Sequence, residues 1–374
     1  MAQDLSLTRF AGVIWRRDGG TEALFYSFYT SAPAEKCLAC GCISTVRTAN
    51  ETQPERTKMP SQNEIRQQIT QQIIEAIERG TMPWRMPWQR AANTGRPVSL
   101  ASGKAYSGIN PLLLALHAEK HGLRSRWWAT FQGWQKIGGQ VKARPADVEP
   151  GHWGARAVLY RPFTKTVRDD ETNEEKDEQH FLLRFFTLFN ADQVEGVDPL
   201  QSKDPEPLAK QPEPDYEPAE ELIRVSGADI RHGGDRAFYR RPTPEGSWPH
   251  HTAGDFIGLP NKTVFTTVGA YYETALHELA HWSELRTGWD YSKQGYPLSE
   301  LAAEIGSCYL SQELGVPQGE GLENHASYVK SWLDAMKGDP SFIFKASKQA
   351  SKVSDFLLAF VRQPQAEPVV AEAA

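Results

Sequence analysis

No run of 18 apolar residues occurs anywhere in the chain, so a membrane-spanning helix is not expected. Cysteine is scarce: four residues, three of them crowded at Cys37, Cys40 and Cys42. That distribution gives no disulfide framework. The CxxCxC spacing could hold a metal, but no second cluster matches it, and it is taken as non-functional. The first twenty residues lack the basic segment followed by an apolar one that marks a secretory leader. These absences lead to the expectation of a cytoplasmic protein with no membrane partner.

What is present points to real cores. Hydrophobic residues make up 40% of the 374, and 11 are Trp. The length is enough for two domains. The net charge of -6 hides an asymmetry. Residues 59–160 hold 13 Lys and Arg against 6 Asp and Glu, a charge of +7, which leaves -13 for the rest. A basic part joined to an acidic one suggests a nucleic-acid-binding half beside a half with other work.

The stretch His277-Glu278-Leu279-Ala280-His281 is an HExxH motif within a helical pattern. Residues four apart share a helix face, so both imidazoles can point at one metal ion. Glu278 can then reach a metal-bound water as general base. The expected ion is Zn²⁺, held by two imidazoles, a third protein ligand and a water. Mn²⁺ or another divalent ion fits the same donor types.

A third ligand is available downstream. Glu300 lies 19 positions after His281 and Glu304 lies 23 after, four apart on one helical face. The pattern Glu300-x-x-Ala303-Glu304 resembles the ExxA(D/N) helix of several gluzincin-like metallopeptidases. That resemblance implies Glu300 as ligand and Glu304 as the group that holds a ligand His by its ring N–H. The swapped assignment stays open.

The rest of the chain divides by composition. Residues 1–58 read as an irregular extension, with possible short strands at VIWRR and ALFYSFY. A first domain follows at 59–198. Residues 63–79 form an amphipathic helix with an Ile65, Ile69, Ile73 or Ile74, and Ile77 stripe. Residues 109–121 and 125–138 read as two further helices. Residues 155–161 and 181–189 read as paired strands joined by an acidic hairpin loop. Residues 199–219 are a Pro-rich linker. A second domain spans 220–362, with a helix at 220–226 and short antiparallel strands at 237–241 and 255–260. Its metal helix is expected at 266–286 and its ligand helix at 299–314, with two last helices near 323–336 and 347–361. Residues 363–374 read as a disordered tail.

Three segments now carry a resemblance: QQIIEAIERGTMPWRMPW, Ala105-Tyr-Ser-Gly-Ile-Asn110 and Trp128-Ala-Thr-Phe-Gln-Gly-Trp134. Together they resemble the N-terminal domain of ArdC-type antirestriction proteins. YYETALHELAHW and SELAAEIGSCYL resemble the C-terminal zincin-like metallopeptidase domain of that family. The resemblance implies an α+β protein of two domains, an N-terminal α+β single-stranded-DNA-binding domain and a C-terminal zincin-like metallopeptidase domain. It implies a protein of plasmids, phages and conjugation that shields incoming DNA from restriction. Two departures stand out. Residues 1–58 have no counterpart, Met59 standing where family members usually begin, and the stretch from His281 to Glu300 is short for the family.

Single-strand binders combine a positive groove with aromatic platforms. Here Trp84, Trp88, Tyr106, Trp127, Trp128 and Trp134 interleave with Arg85, Arg90, Arg96, Lys104, Arg124 and Arg126. Trp128 and Trp134 are expected in the core. Arg85, Arg96, Lys104, Tyr106, Arg124 and Arg126 are the candidate DNA contacts, and Asn110 is expected to cap the next helix. No zinc-finger or RRM signature is present, so binding should be sequence-tolerant and salt-dependent. In the metal domain, Tyr271 or Tyr272 could serve an oxyanion or only pack, Trp282 is expected in the core, and His232 is a further cleft candidate. Two functions follow. One is a zinc-dependent peptidase held on single-stranded DNA and acting on an unknown protein substrate. The other is a non-enzymatic DNA-protection protein whose metal site is structural or vestigial. A metal-dependent nuclease is disfavoured, because such enzymes use carboxylate-rich Mg²⁺ sites.

Overall fold

The computed structural model describes residues 61–85, 93–168, 175–203, 216–242, 254–289, 291–318 and 326–362. The chain falls into two units, residues 1–57 and 58–374, and every described residue belongs to the second. The expectations for residues 1–58, Trp88, Arg90, the middle of the Pro-rich stretch and the tail fall outside the described residues.

Helix α1 (Gln62–Glu78) begins where its sequence says it should. The Ser61 backbone N–H donates to Glu64 at 2.6 Å, and the Glu64 N–H donates to Ser61 Oγ at 3.2 Å, a reciprocal capping box. Its isoleucine stripe is buried from Ile65 to Ile77. Next come β1 (Val98–Ser99), α2 (Asn110–His121), β2 (Trp127–Ala129), α3 (Phe131–Lys136), β3 (Gln140–Val141), β4 (Ala155–Arg168), β5 (Glu175–Asn190) and β6 (Val194–Glu195). Four of the strands form a sheet in the order β1-β2-β5-β4, and β3 pairs with β6. The long β4–β5 hairpin is antiparallel, with Ala155 opposite Leu188.

Three expectations for this half are corrected. Residues 125–138 are not one helix. Trp127–Ala129 is a strand inserted between β1 and β5, and Thr130 then starts α3 by accepting the Gly133 N–H at 3.1 Å. Asn110 is not a cap. Its amide clamps Val158, donating to the carbonyl at 2.9 Å and accepting the N–H at 2.7 Å, which ties α2 to β4. The acidic run is only partly a loop, because β5 already starts at Glu175.

The second half contains α4 (Glu217–Ser226), β7 (Ile230–His232), β8 (Phe238–Arg240), β9 (Phe256–Leu259), α5 (Val268–Arg286), α6 (Tyr291–Gln294), α7 (Tyr296–Leu314), α8 (Ala326–Gly338) and α9 (Phe342–Leu358). The antiparallel β8–β9 pair is as expected. Strand β7 was not, because a three-residue strand with two polar members leaves no apolar alternation to detect. It runs parallel to β9. Thr267 caps α5 by accepting the Ala270 N–H at 3.0 Å. Helix α7 is framed by Gly295 and Gly315, at φ 81° and 72°, values that suit glycine. Its Pro297 stands in the first turn, where no amide is missed.

The two halves share a core. Ile69, Ile73 and Trp84 pack in the same cluster as Leu301, Ile305 and Tyr309 of α7 and Trp332 of α8. Polar contacts follow the same seam. Thr70 donates to the Pro340 carbonyl at 2.7 Å, and Lys337 meets Glu78 at 2.8 Å. Trp128 and Trp134 are core residues, as expected, and so is Trp84. The mixed α+β class stands. Unfolding should therefore be a single transition for residues 61–362. Ile73→Ala, on α1, should cost about 2–5 kcal/mol. Tryptophan fluorescence and helical circular dichroism should shift together in urea. Separate transitions, with only one shifted, would contradict the shared core.

Candidate metal centre

One turn of α5 separates His277 from His281 and places their ring centroids 4.9 Å apart. Helix α7 packs against α5 and carries Glu300 to the pair. One Glu300 oxygen lies 3.6 Å from His277 Nε2 and the other 3.5 Å from His281 Nε2. The three donor atoms lie within 4.8 Å of one another. Tetrahedral ligands on Zn²⁺ at their usual bond lengths stand about 3.3 Å apart. The set therefore fits a small divalent ion after slight movement. Among the described residues it is the one group of three or more His, Cys, Asp or Glu so placed.

Each imidazole has a carboxylate behind it. His281 Nδ1 faces Glu284 at 3.0 Å. A carboxylate only accepts, so Nδ1 carries the proton and Nε2 is turned toward Glu300. Glu284 is itself held by Ser299 Oγ and by Arg241. Burial lowers the His281 pKa, but hydrogen bonds to Glu284 and Glu300 outweigh it and raise the value to about 10. Burial also resists ionisation of Glu300, yet the two histidines hold its carboxyl below the usual range. Behind His277, Glu304 Oε2 stands 3.8 Å from Nδ1. The other Glu304 oxygen accepts from Arg85 Nε at 2.9 Å, and Arg85 also meets Glu273 at 3.0 Å. Arg85 comes from the first half of the chain, 219 residues before Glu304.

Glu278 lies beside the ligand set, 8% exposed. Burial pushes its carboxyl up. The two histidines and a backbone hydrogen bond from Tyr239 pull the other way without overcoming it. A carboxylate kept short of full acidity suits proton transfer.

Other sequence expectations fare differently. Tyr271 and Tyr272 are buried and committed elsewhere. Tyr271 pairs with His232 Nε2 at 2.9 Å, and the Tyr272 hydroxyl binds Glu220 and Lys262. The tyrosine that reaches the ligands is Tyr296, hydrogen-bonded to Glu300 and, at 2.7 Å, to Tyr328. His232 is exposed on β7. Trp282 is core, as expected, with Arg286 stacked over its ring at 3.5 Å.

Three of the arginines expected to face DNA, Arg85, Arg96 and Arg126, form ion pairs within the protein. Arg85 supports Glu304. Arg96 is fully buried and bonds Asp355, Ser354 and the Tyr106 carbonyl at 2.9–3.3 Å. Arg126 donates from Nη2 to both Glu313 oxygens, at 3.0 and 3.2 Å. Each is drawn across the seam by a carboxylate of the second half. Tyr106 is half-buried against the core cluster that holds Leu114 and Trp128, and Trp84 is buried and offers no stacking face. Lys104 is exposed and Arg124 partly so. The sequence reading missed Glu284, Ser299 and Arg241. Glu284 did carry a signal, since the third position after His281 lies almost one turn on.

Known proteins match both halves. Residues 63–190 match the N-terminal domain of anti-restriction factor ArdC, and residues 217–349 match a zincin-like metallopeptidase domain. The crystal structure of antirestriction ArdC from plasmid R388 in metal-free form superposes with a TM-score of 0.61. Sequence identity is 33%, over 79% of this chain and 97% of that one. This chain belongs to the ArdC antirestriction family. The Mn(II)-bound R388 structure gives a TM-score of 0.57 at 31% identity, covering 80% of this chain and 99% of that one. An Escherichia coli protein named DNA primase TraC is 34% identical over 300 residues, 74% of this chain but 25% of TraC. The chain thus spans about a quarter of that relative. Protein y4eC of Sinorhizobium fredii (strain NBRC 101917 / NGR234) is 31% identical over 70% of this chain and 80% of its own length. No helix among the described residues is long and apolar enough to cross a membrane.

The geometry behind His277 makes the first prediction for the site. Arg85→Gln should weaken Zn²⁺ or Mn²⁺ binding about 10- to 100-fold, the usual cost of losing a group that supports a ligand. Arg126→Gln, which breaks a comparable ion pair elsewhere on the seam, should leave metal affinity unchanged. Isothermal titration of each full-length variant measures both.

Proposed function

We propose that this protein is an antirestriction protein that binds single-stranded DNA and carries a divalent-metal-dependent peptidase site. The division into a DNA-binding part at 59–198 and a peptidase part at 220–362, joined at 199–219, belongs to this reading. The observation that carries it is Glu278. It is buried beside His277, His281 and Glu300 with its carboxyl pushed up by burial. A purely structural metal site has no use for such a group.

In this reading His277, His281 and Glu300 hold Zn²⁺, or Mn²⁺ as in the R388 relative. The bound ion would supply Lewis acidity at the scissile carbonyl and lower the pKa of a water. Glu278 takes the proton of the attacking water and delivers it to the leaving amine. Glu284 fixes the His281 tautomer, and Glu304, held by Arg85, faces His277. The protein substrate is one met near the transferred strand. Single-strand binding is supported by the family of the first half and by its charge of +7 over residues 59–160.

Glu278→Gln should lower peptide cleavage about 10²- to 10⁴-fold, the usual share of a general base. Metal and DNA affinities should stay at wild-type level. The readouts are cleavage of an unfolded protein substrate with single-stranded DNA present, metal titration and protection from restriction in cells. Full protection by Glu278→Gln would assign the biological role to DNA binding alone.

A further inference from the structure

The seam engages Arg85, Arg96 and Arg126, three of the cations expected to meet DNA, so a grouping of cations elsewhere is of interest. The first half has a cavity of about 530 Å³ between α1, α2 and the start of β4. Its floor is made by Leu113, Leu116 and the rings of His117 and His121. Three exposed cations stand at its mouth, Arg79 from the end of α1, Lys120 from α2 and Arg156 from β4. None of the three has an ion-pair partner among the described residues, in contrast to Arg85, Arg96 and Arg126. Two carboxylates also line the cavity, Glu75 accepting from Gln71 and Glu119 from Thr81, and both keep their charge, so three cations less two carboxylates leave the lining at +1.

The histidines give the floor its chemistry. They lie one turn apart on α2 with ring centroids 4.5 Å apart. Each ring is engaged by a backbone group, His117 by Trp153 and His121 by His152. The Nε2 atom of each is buried without a hydrogen-bond partner. Burial and the neighbouring His121 lower the His117 pKa to about 4, so at neutral pH it is uncharged. Exposed cations without ion-pair partners, one of them Arg156 set over the Phe185 ring at 5.7 Å, suit the phosphates of a single strand. The volume lies within the range of about 300–1,000 Å³ usual for small-ligand sites, enough for one nucleotide unit.

We infer that this cavity is where single-stranded DNA is held, its phosphates on Arg79, Lys120 and Arg156 and one nucleotide unit lodged within it. The inference rests on the single-strand reading above. It commits to a strand rather than a free nucleotide, because the cations come from three separate elements around the mouth.

The test is fluorescence anisotropy of a labelled oligo-dT of about 20 nucleotides, longer than one typical site. The full-length protein is titrated at several salt concentrations. Arg79→Gln/Lys120→Gln/Arg156→Gln should bind at least tenfold more weakly. Its plot of log affinity against log salt should be shallower by about 2, since each single-strand phosphate contact contributes about 0.7. Lys330→Gln/Lys348→Gln, on the other half, should change neither. All three replaced side chains are exposed, and unchanged metal affinity in the triple variant would report an intact fold. Wild-type affinity and slope in the triple variant would overturn the inference while leaving the single-strand reading in place. Absence of binding by the wild-type protein would remove that reading and the inference together. Displacement of the strand by equimolar dTMP would assign the cavity to a free nucleotide and also overturn the inference.

Discussion

Arg85 is the residue on which both halves of the molecule converge. Its guanidinium lies between Glu304 and Glu273, nearly out of solvent. A buried cation is tolerated only if its charge and its donors are met, and two carboxylates meet them. Those carboxylates belong to the helices that carry the metal ligands. Glu304 in turn faces His277. The position of α1 and the loop after it is therefore felt, through one side chain, at the metal site. The surrounding core gives the same result by packing, since Trp84, next in sequence to Arg85, sits against Trp332 of α8.

This arrangement bears on what a zincin-like domain means here. The zincin-like half is not a module merely tethered to the half that matches the N-terminal domain of ArdC. Part of the support of its ligand shell comes from the other half. On one side of the ligand set, His281 is oriented from within the second half, by Glu284, Ser299 and Arg241. On the other side, the carboxylate facing His277 is anchored by the first.

The candidate metal cluster of His277, His281 and Glu300 was legible because helical periodicity is local. HELAH and ExxAE each put two groups on one face, whatever the rest of the chain does. The isoleucine stripe of α1 and the β4–β5 hairpin were legible for the same reason. What could not be read are contacts at long sequence separation. Nothing near Arg85 announces a carboxylate 219 residues away. Asn110 looked like a cap because Asn often is one, yet its amide serves the backbone of Val158. Trp127–Ala129 looked helical because the segment after Thr130 is helical. The pairing that makes it a strand is with β1 and β5, invisible from within the segment. Glu284 was a local signal overlooked, not a hidden one.

The charge asymmetry changes meaning once the partners are known. A half of +7 beside a half that carries negative charge looks, in sequence, like a surface for nucleic acid. In the structure a good part of that complementarity is spent between the halves themselves. Arg85 meets Glu273 and Glu304, Arg96 meets Asp355, and Arg126 meets Glu313. Charge count thus overstates what is left for a ligand, and the position of the unpaired cations becomes the informative quantity. Arg79, Lys120 and Arg156 gather on one cavity, where they outnumber Glu75 and Glu119 and stand apart from the carboxylates of the seam. An anionic strand would find there the positive charge that the two halves have not already neutralised in each other.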